Sequence, residues 1–289
     1  GGNLMKKKIK GLNHRIKVRV VFGTRPEALK LMPVIMAGKK DPRFSVVTCL
    51  TGQHRQMVDQ VMKLFPVKAD FDLNLMAADQ SLGDLTSRIM NSMEKVFHQV
   101  KPDAVMVQGD TTTAFVVGLK AFYEKIPIVH VEAGLRSRNK FQPFPEEMNR
   151  VLLSQLADIH LAPTQEAQTN LLKEGIPAGK VFVTGNTVVD ALRYMSKRLG
   201  AANSKKNQKR IVLVTAHRRE SFGKPLESVF QALKILAQKF KDIEIIYPVH
   251  LNPKVQSSAR KILAGQSNIK LLEPLSYEPF LKLMVQSHL

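Results

Sequence analysis

Polar and charged side chains recur at one kind of place in this chain, directly after short apolar runs. Val18–Phe22 is followed by Gly23, Thr24, Arg25, Pro26 and Glu27, with Lys30 a little further on. Gly23 allows a tight turn, and Pro26 suits the first turn of a helix, where its missing N–H is not needed. A helix start offers free N–H groups and a positive dipole end to an anion. Arg25 can add a bidentate contact and Lys30 a point charge. The same residues also read as a plain strand–helix turn with solvent-facing charges. Thr51-Gly52-Gln53-His54-Arg55-Gln56 follows a second run, either as helix capping or as a ligand-facing loop. After Ala104–Val107, Asp110 stands where a helix cap belongs, yet Thr111, Thr112 and Thr113 could cap instead and free its carboxylate. Ile126–Val131 leads into Glu132, among small residues; a glutamate in an apolar setting is costly unless paired or ligand-bound. Glu146 and Glu147 begin a helix, where the dipole favours acids. Later runs end in Thr215-Ala216-His217-Arg218 and Pro248-Val249-His250, so two histidines fall at consecutive strand ends.

Carboxylates, histidines and cations at successive strand ends suit acid–base chemistry on an anionic, diphosphate-bearing ligand. Neither an HExxH helix nor a cysteine pair nor a close aspartate cluster occurs, so no metal site is expected. The GxSxG nucleophile elbow and the GxGxxG dinucleotide fingerprint are missing too, and no cofactor is expected.

The runs that carry these residues are short, continuous and rich in Val and Ile. They are Val18–Phe22, Val46–Leu50, Ala104–Val107, Ile126–Val131, Ile159–Ala162, Val181–Val183, Ile211–Val214, Ile243–Tyr247 and Lys270–Leu272. Such runs form parallel strands covered on both faces. Helical stripes lie between them: Met57, Val61, Leu64 and Phe65, then Leu85, Ile89, Met93 and Val96–Phe97. The alternation predicts an α/β fold of two doubly wound, Rossmann-like domains, with ligands beyond the carboxyl ends of the strands. The expected division is a basic tail over 1–15, a first domain over 16–192, a basic linker over 193–208 and a second domain over 209–289. Three strands are few for such a second domain, so it reads as cut short.

Of the 289 residues, 44% are hydrophobic, enough to fill ordinary cores. No apolar run approaches the ~20 residues of a membrane span, and no secretory signal is visible. A single cysteine, Cys49, fits a reducing, cytoplasmic setting. Lys plus Arg is 44 against 24 acids, a net charge of +20, which raises nucleic acid or anionic lipid as partners. The basic residues cluster in the tail and the linker rather than along a recognition helix, and no aromatic–basic motif accompanies them. A solvated tail and linker explain them, and neither nucleic acid nor membrane is expected as partner.

The ordered segments VFGTRPEALKLMPVI, TGQHRQM, QGDTTTAF, HVEAGLRS, PFPEEMNR, VFVTGNTVVDAL, VTAHRRESFG and YPVHLNP resemble the bacterial non-hydrolysing UDP-N-acetylglucosamine 2-epimerases, from about Lys17 to the last residue. The resemblance implies a two-domain fold like that of GT-B glycosyltransferases. It also implies interconversion of UDP-GlcNAc and UDP-ManNAc for cell-surface polysaccharide, by elimination of UDP to a 2-acetamidoglucal and re-addition with inversion at C2. By that resemblance Asp110, Glu132 and Glu146 handle protons and the intermediate, and His217 is a catalytic, substrate-binding histidine. Arg25 and Lys30 bind substrate, and Leu275 and Phe280 hold the uracil, Leu275 through backbone. Gln53, Gln56, Arg218 and His250 match positions that bind a second UDP-GlcNAc as allosteric activator. A homodimer is implied as well. Family members continue past this chain's end into a Ser-Gly-Gly turn that grips phosphate. This implies reduced activity here, with a non-catalytic UDP-sugar-binding fragment or a GT-B glycosyltransferase as the alternatives.

Overall fold

The computed structural model describes residues 14–52, 55–75, 77, 80–198, 209–216 and 223–288. The chain divides into two compact units, Gly1–Ala191 and Leu192–Leu289. The first is built on β1 (Ile16–Phe22), β2 (Phe44–Leu50), β3 (Phe71–Asp72), β4 (Ala104–Gln108), β5 (Ile128–Val131), β6 (Ile159–Ala162) and β7 (Val181–Val183). These pair in the order β3-β2-β1-β4-β5-β6-β7, all parallel. The helices that follow these strands are α1 (Arg25–Lys40), α2 (Arg55–Met62), α3 (Leu82–Val100), α4 (Thr112–Tyr123), α5 (Glu146–Leu156), α6 (Gln165–Lys173) and α7 (Val188–Arg198), the last beginning in the first unit and ending in the second.

The sheet is buried because its residues leave no polar face. Val20, Val21 and Phe22 in β1 are all inaccessible, as a strand covered on both sides requires. The stripe Leu85, Ile89, Met93, Val96 and Phe97 turns inward from α3 onto Val21, Cys49, Val105 and Val107, together with Ala114, Val117 and Ala121 of α4. Burial pushes the Cys49 thiol up to about 12, so it behaves as a small hydrophobe. One residue breaks the pattern. Arg19 has no exposed surface and no hydrogen bond for its guanidinium, which lies 4.3 Å from the Phe71 ring centroid. Burial lowers its proton affinity.

All nine expected runs are strands. The addition is β3, whose two residues, Phe71 and Asp72, are too few to show a period. Strand order runs one way from β1 to β3 and the other way from β4 to β7, so the direction switches between β1 and β4. The loops after these two strands therefore meet beside the switch point, where parallel sheets hold their ligands.

The second unit contains β8 (Arg210–Leu213), β9 (Ile243–Pro248) and β10 (Ile269–Leu272), parallel in the order β10-β9-β8. Its helices are α8 (Lys224–Lys239), α9 (Pro253–Leu263) and α10 (Tyr277–Gln286). Leu226, Phe230 and Leu233 of α8 and Val255, Ala259 and Leu263 of α9 pack on Ile243, Ile245 and Tyr247. Residues 193–198, expected in the linker, are the last turns of α7. Residues 1–13 and 199–208, the bulk of the expected basic tail and linker, lie outside the described residues.

Candidate active site

The β1–α1 and β4–α4 loops are joined by one side chain. Thr24 is the cap residue of α1, and Pro26 lies in the first turn, as its fixed φ favours. Glu27 turns back from that turn, with 1% of its surface exposed. Its Oε2 accepts the Gly23 and Thr24 N–H groups at 2.9 and 2.7 Å, and its Oε1 accepts the Thr111 hydroxyl at 2.7 Å. Burial raises its proton affinity, while the hydrogen bonds from Thr111, Gly23 and Thr24 pull the other way.

Thr111 answers the question left open at Asp110. Its Oγ1 accepts Ala114 N at 3.0 Å and so caps α4, which leaves the Asp110 carboxylate free of capping. Asp110 is instead held from α5: Asn149 Nδ2 donates to its carbonyl at 2.9 Å and Arg150 Nη1 to its Oδ2 at 3.1 Å. Gly109, before it, has φ +71°, and its carbonyl accepts His130 Nε2 at 2.8 Å. A carbonyl can only accept, so His130 carries its proton on Nε2; burial drives its pKa down to about 3 and keeps it neutral. Arg150 is fixed in turn by Glu147, which lies three residues before it and takes its Nε at 2.7 Å. Glu147 also accepts the Ser137 N–H at 3.0 Å and the Arg138 N–H at 2.8 Å. Burial alone would raise Glu147, but the two N–H groups and Arg150 outweigh it and hold the carboxyl below its usual range.

Glu132 follows β5 with φ +62°, an uncommon conformation for a residue with a side chain. Lys30 Nζ lies 2.7 Å from each of its oxygens, and Asn186 Nδ2 donates to Oε2 at 3.1 Å. This is the pairing that a carboxylate in an apolar context needs. Two residues on, Gly134 has φ +92° and packs so close to α6 that an added Cβ would lie 2.2 Å from the Ala167 carbonyl oxygen. Arg136 closes the loop with a fork onto Glu174, Nε and Nη2 each at 2.7 Å.

Asp110, Glu132, Glu146 and Lys30 thus come together in the first unit. Asp110 is raised above the ordinary aspartate range by burial, opposed by Arg150, with Glu146 and Glu132 raising it further and Lys30 lowering it. A carboxyl whose proton affinity is raised in this way is suited to proton transfer. Arg25 opens α1 on the same loop, half-buried. In the second unit, His250 is exposed after β9, its Nδ1 accepting the Asn252 N–H at 3.1 Å. Leu275 lies between β10 and α10 and Phe280 within α10, both half-buried. His217, Arg218 and Gln53 lie outside the described residues, as does the side chain of Gln56.

Sequence reading missed Glu27, His130, Glu147, Asn149, Arg150 and Asn186. Two pairs carried a local signal, the capping-box spacing of Thr24 and Glu27 and the spacing of three residues between Glu147 and Arg150 on a helix. Glu147 reaches Ser137 and Arg138 ten and nine positions away, and the links of Glu27 to Thr111, His130 to Gly109, Asn149 and Arg150 to Asp110 and Asn186 to Glu132 join residues 21 to 84 positions apart.

Comparison with known proteins bears on what this cluster does. A family model described as UDP-N-acetylglucosamine 2-epimerase matches residues 36–289. The chain is 47% identical over 288 residues to the UDP-N-acetylglucosamine 2-epimerase of Campylobacter jejuni, covering 94% of this chain and 75% of that one. It is 45% identical over 277 residues to the Bacillus subtilis enzyme of that name, covering 95% and 73%. Its fold matches the crystal structure of UDP-GlcNAc 2-epimerase from Neisseria meningitidis bound to UDP-GlcNAc with a TM-score of 0.81 and 44% identity, over 94% of this chain and 76% of that one. The Methanocaldococcus jannaschii epimerase in complex with UDP-GlcNAc and UDP matches with a TM-score of 0.69 and 32% identity, over 95% and 78%.

Proposed function

From the premise that this chain belongs to the UDP-N-acetylglucosamine 2-epimerase family, an isomerase family, we propose that Asp110, Glu132 and Glu146 carry its acid–base chemistry on UDP-GlcNAc. The observation that supports this most is the convergence of three carboxylates with Lys30 and Arg150 in the first unit. Epimerisation at C2 needs such a set. A base takes the C2 proton, the C–H electron pair forms the C1–C2 double bond, and the C1–O pair leaves on UDP. Re-addition of UDP and delivery of a proton to the opposite face of C2 give UDP-ManNAc. Removal and delivery occur on different faces, so more than one proton-handling group is required.

Burial supports Asp110 as the group that gains and loses a proton, because it raises its proton affinity. Glu132 is held in place beside it by Lys30 and Asn186. Arg25 and Lys30, at the start of α1, supply positive charge for the diphosphate as it departs. His217 completes the catalytic set, with Leu275 and Phe280 against the uracil. Gln53, Gln56, Arg218 and His250 take a second UDP-GlcNAc as activator. The protein works as a cytoplasmic homodimer feeding cell-surface polysaccharide; light scattering reads the dimer, and a sigmoidal rate against UDP-GlcNAc reads the activator.

The test of the activity is incubation with UDP-GlcNAc and, separately, with UDP-ManNAc, followed by proton NMR of the sugar. The same mixture of the two should form from either side. A single unchanged sugar in both tubes contradicts the proposal.

A further inference from the structure

We propose that Glu27 is a positioning residue for the reaction: through Thr111 it locks the loop carrying Arg25 to the loop carrying Asp110, so that cation and carboxylate stay in register. The inference rests on the epimerase reading for its catalytic part.

An ordinary capping box leaves its acid at the exposed end of a helix, bonded only to its own cap. Glu27 departs from that in two ways. It is 1% exposed, although a buried carboxylate is costly unless every lone pair has a use. One of its oxygens also crosses 84 residues of sequence to a different strand-end loop. All three groups on it are donors. The Gly23 and Thr24 groups are backbone N–H, and Thr111 already accepts Ala114 N on the same oxygen, leaving its hydroxyl proton to point at Glu27. Three donors on two oxygens oppose the pull of burial, which raises the proton affinity of Glu27.

The position of this link matters more than its strength. It spans β1 and β4, the adjacent strands between which the sheet's direction switches. Arg25 lies two residues before Glu27, and Asp110 is the residue before Thr111. Asp110 has further supports in Asn149, Arg150 and the His130 bond to Gly109, but none of these reaches the β1–α1 loop. Among the described hydrogen bonds, Glu27 to Thr111 joins these two loops.

Two variants separate locking from the capping of α1 by Glu27, although the first also removes the Thr111 cap of α4. Thr111→Val removes the hydroxyl from the second loop and leaves every group on the first intact. Thr111→Ser keeps the hydroxyl and serves as rescue. The first readout is amide hydrogen exchange at Gly23 and Thr24, measured by NMR. If the loops are locked, Thr111→Val speeds their exchange by about tenfold and Thr111→Ser restores it. The second readout is turnover of UDP-GlcNAc. Thr111→Val should lower kcat about tenfold or more with KM within about threefold, since small misplacements of reacting groups act on rate. Combining it with Glu27→Ala should cost less than the product of the two single losses, as expected of two groups that share one bond.

Unchanged exchange at Gly23 and Thr24 in Thr111→Val overturns the lock. So do kcat losses that multiply in the double variant. An unmodified chain that converts no UDP-GlcNAc overturns the epimerase reading, and with it the catalytic part, while the exchange data still decide whether the loops are joined.

Discussion

Replacing Arg150 with Met tests the electrostatics of the site at their most exposed joint. Arg150 Nη1 lies 3.1 Å from Asp110 Oδ2, and the two side chains keep 12% and 30% of their surface. At that distance an effective dielectric of about 20 gives an attraction of roughly 5 kcal/mol. Solvent at the partly open Asp110 cuts this toward the ~1.5–3 kcal/mol typical of a hydrogen bond to a charged group. Each pKa unit corresponds to about 1.4 kcal/mol. Asp110 is already raised by burial, and Arg150 is the strongest opposing influence. Arg150 favours the ionised form, so losing it raises Asp110 further, by about one to two units. If Asp110 takes the C2 proton as a base, the acidic limb of kcat/KM moves up in pH by that amount. The assay is the pH dependence of kcat/KM for UDP-GlcNAc in Arg150→Met, with Arg150→Lys as the charge-retaining control. An acidic limb that stays in place while the rate falls equally at every pH would refute this coupling.

Three other perturbations follow from the same geometry. Glu147→Gln should cost about 2–4 kcal/mol near pH 7, because Glu147 is nearly buried and bonded to Arg150 and two N–H groups. Its carboxyl is held low, so this stability is present above the usual glutamate range and fades as pH falls through the lowered value; urea unfolding at about pH 7 and pH 3 should show the gap narrow in acid. Asp110→Asn should abolish turnover yet stabilise the fold by about 1 kcal/mol above the raised pKa, with the gap closing in acid, since ionising a raised carboxyl costs the native state stability as pH rises; thermal melts across pH check it. Arg19→Met should raise stability by about 1–3 kcal/mol, because an unbonded guanidinium gives way to a volume-matched apolar chain; a fall in Tm would mean the stacking on Phe71 outweighs the desolvation.

How much of this could be read from the residues follows from how local each feature is. The strands were legible because their apolar runs are unbroken, while β3 was not, since Phe71-Asp72 is too short to carry a pattern. Asp110 and Glu132 stood out by following buried runs. What made them a site, however, is strand order. Lys30 meets Glu132 across 102 residues and Arg150 meets Asp110 across 40, because β1, β4 and β5 are neighbours in the sheet. Nothing in the run of residues fixes that order. Glu27 and Glu147 were passed over for a related reason. Acids at helix starts are common, and only the fold reveals that these two are buried and reach beyond their own helices.

The central claim is that the carboxylate cluster of the first unit handles the proton at C2. Incubation with UDP-GlcNAc in deuterated water, with the chain unmodified and with Asp110→Asn, tests it most directly by NMR at C2. The account predicts that the unmodified chain replaces the C2 proton with deuterium as UDP-ManNAc appears, and that Asp110→Asn slows exchange by at least about a hundredfold. Exchange at an undiminished rate in Asp110→Asn would contradict it.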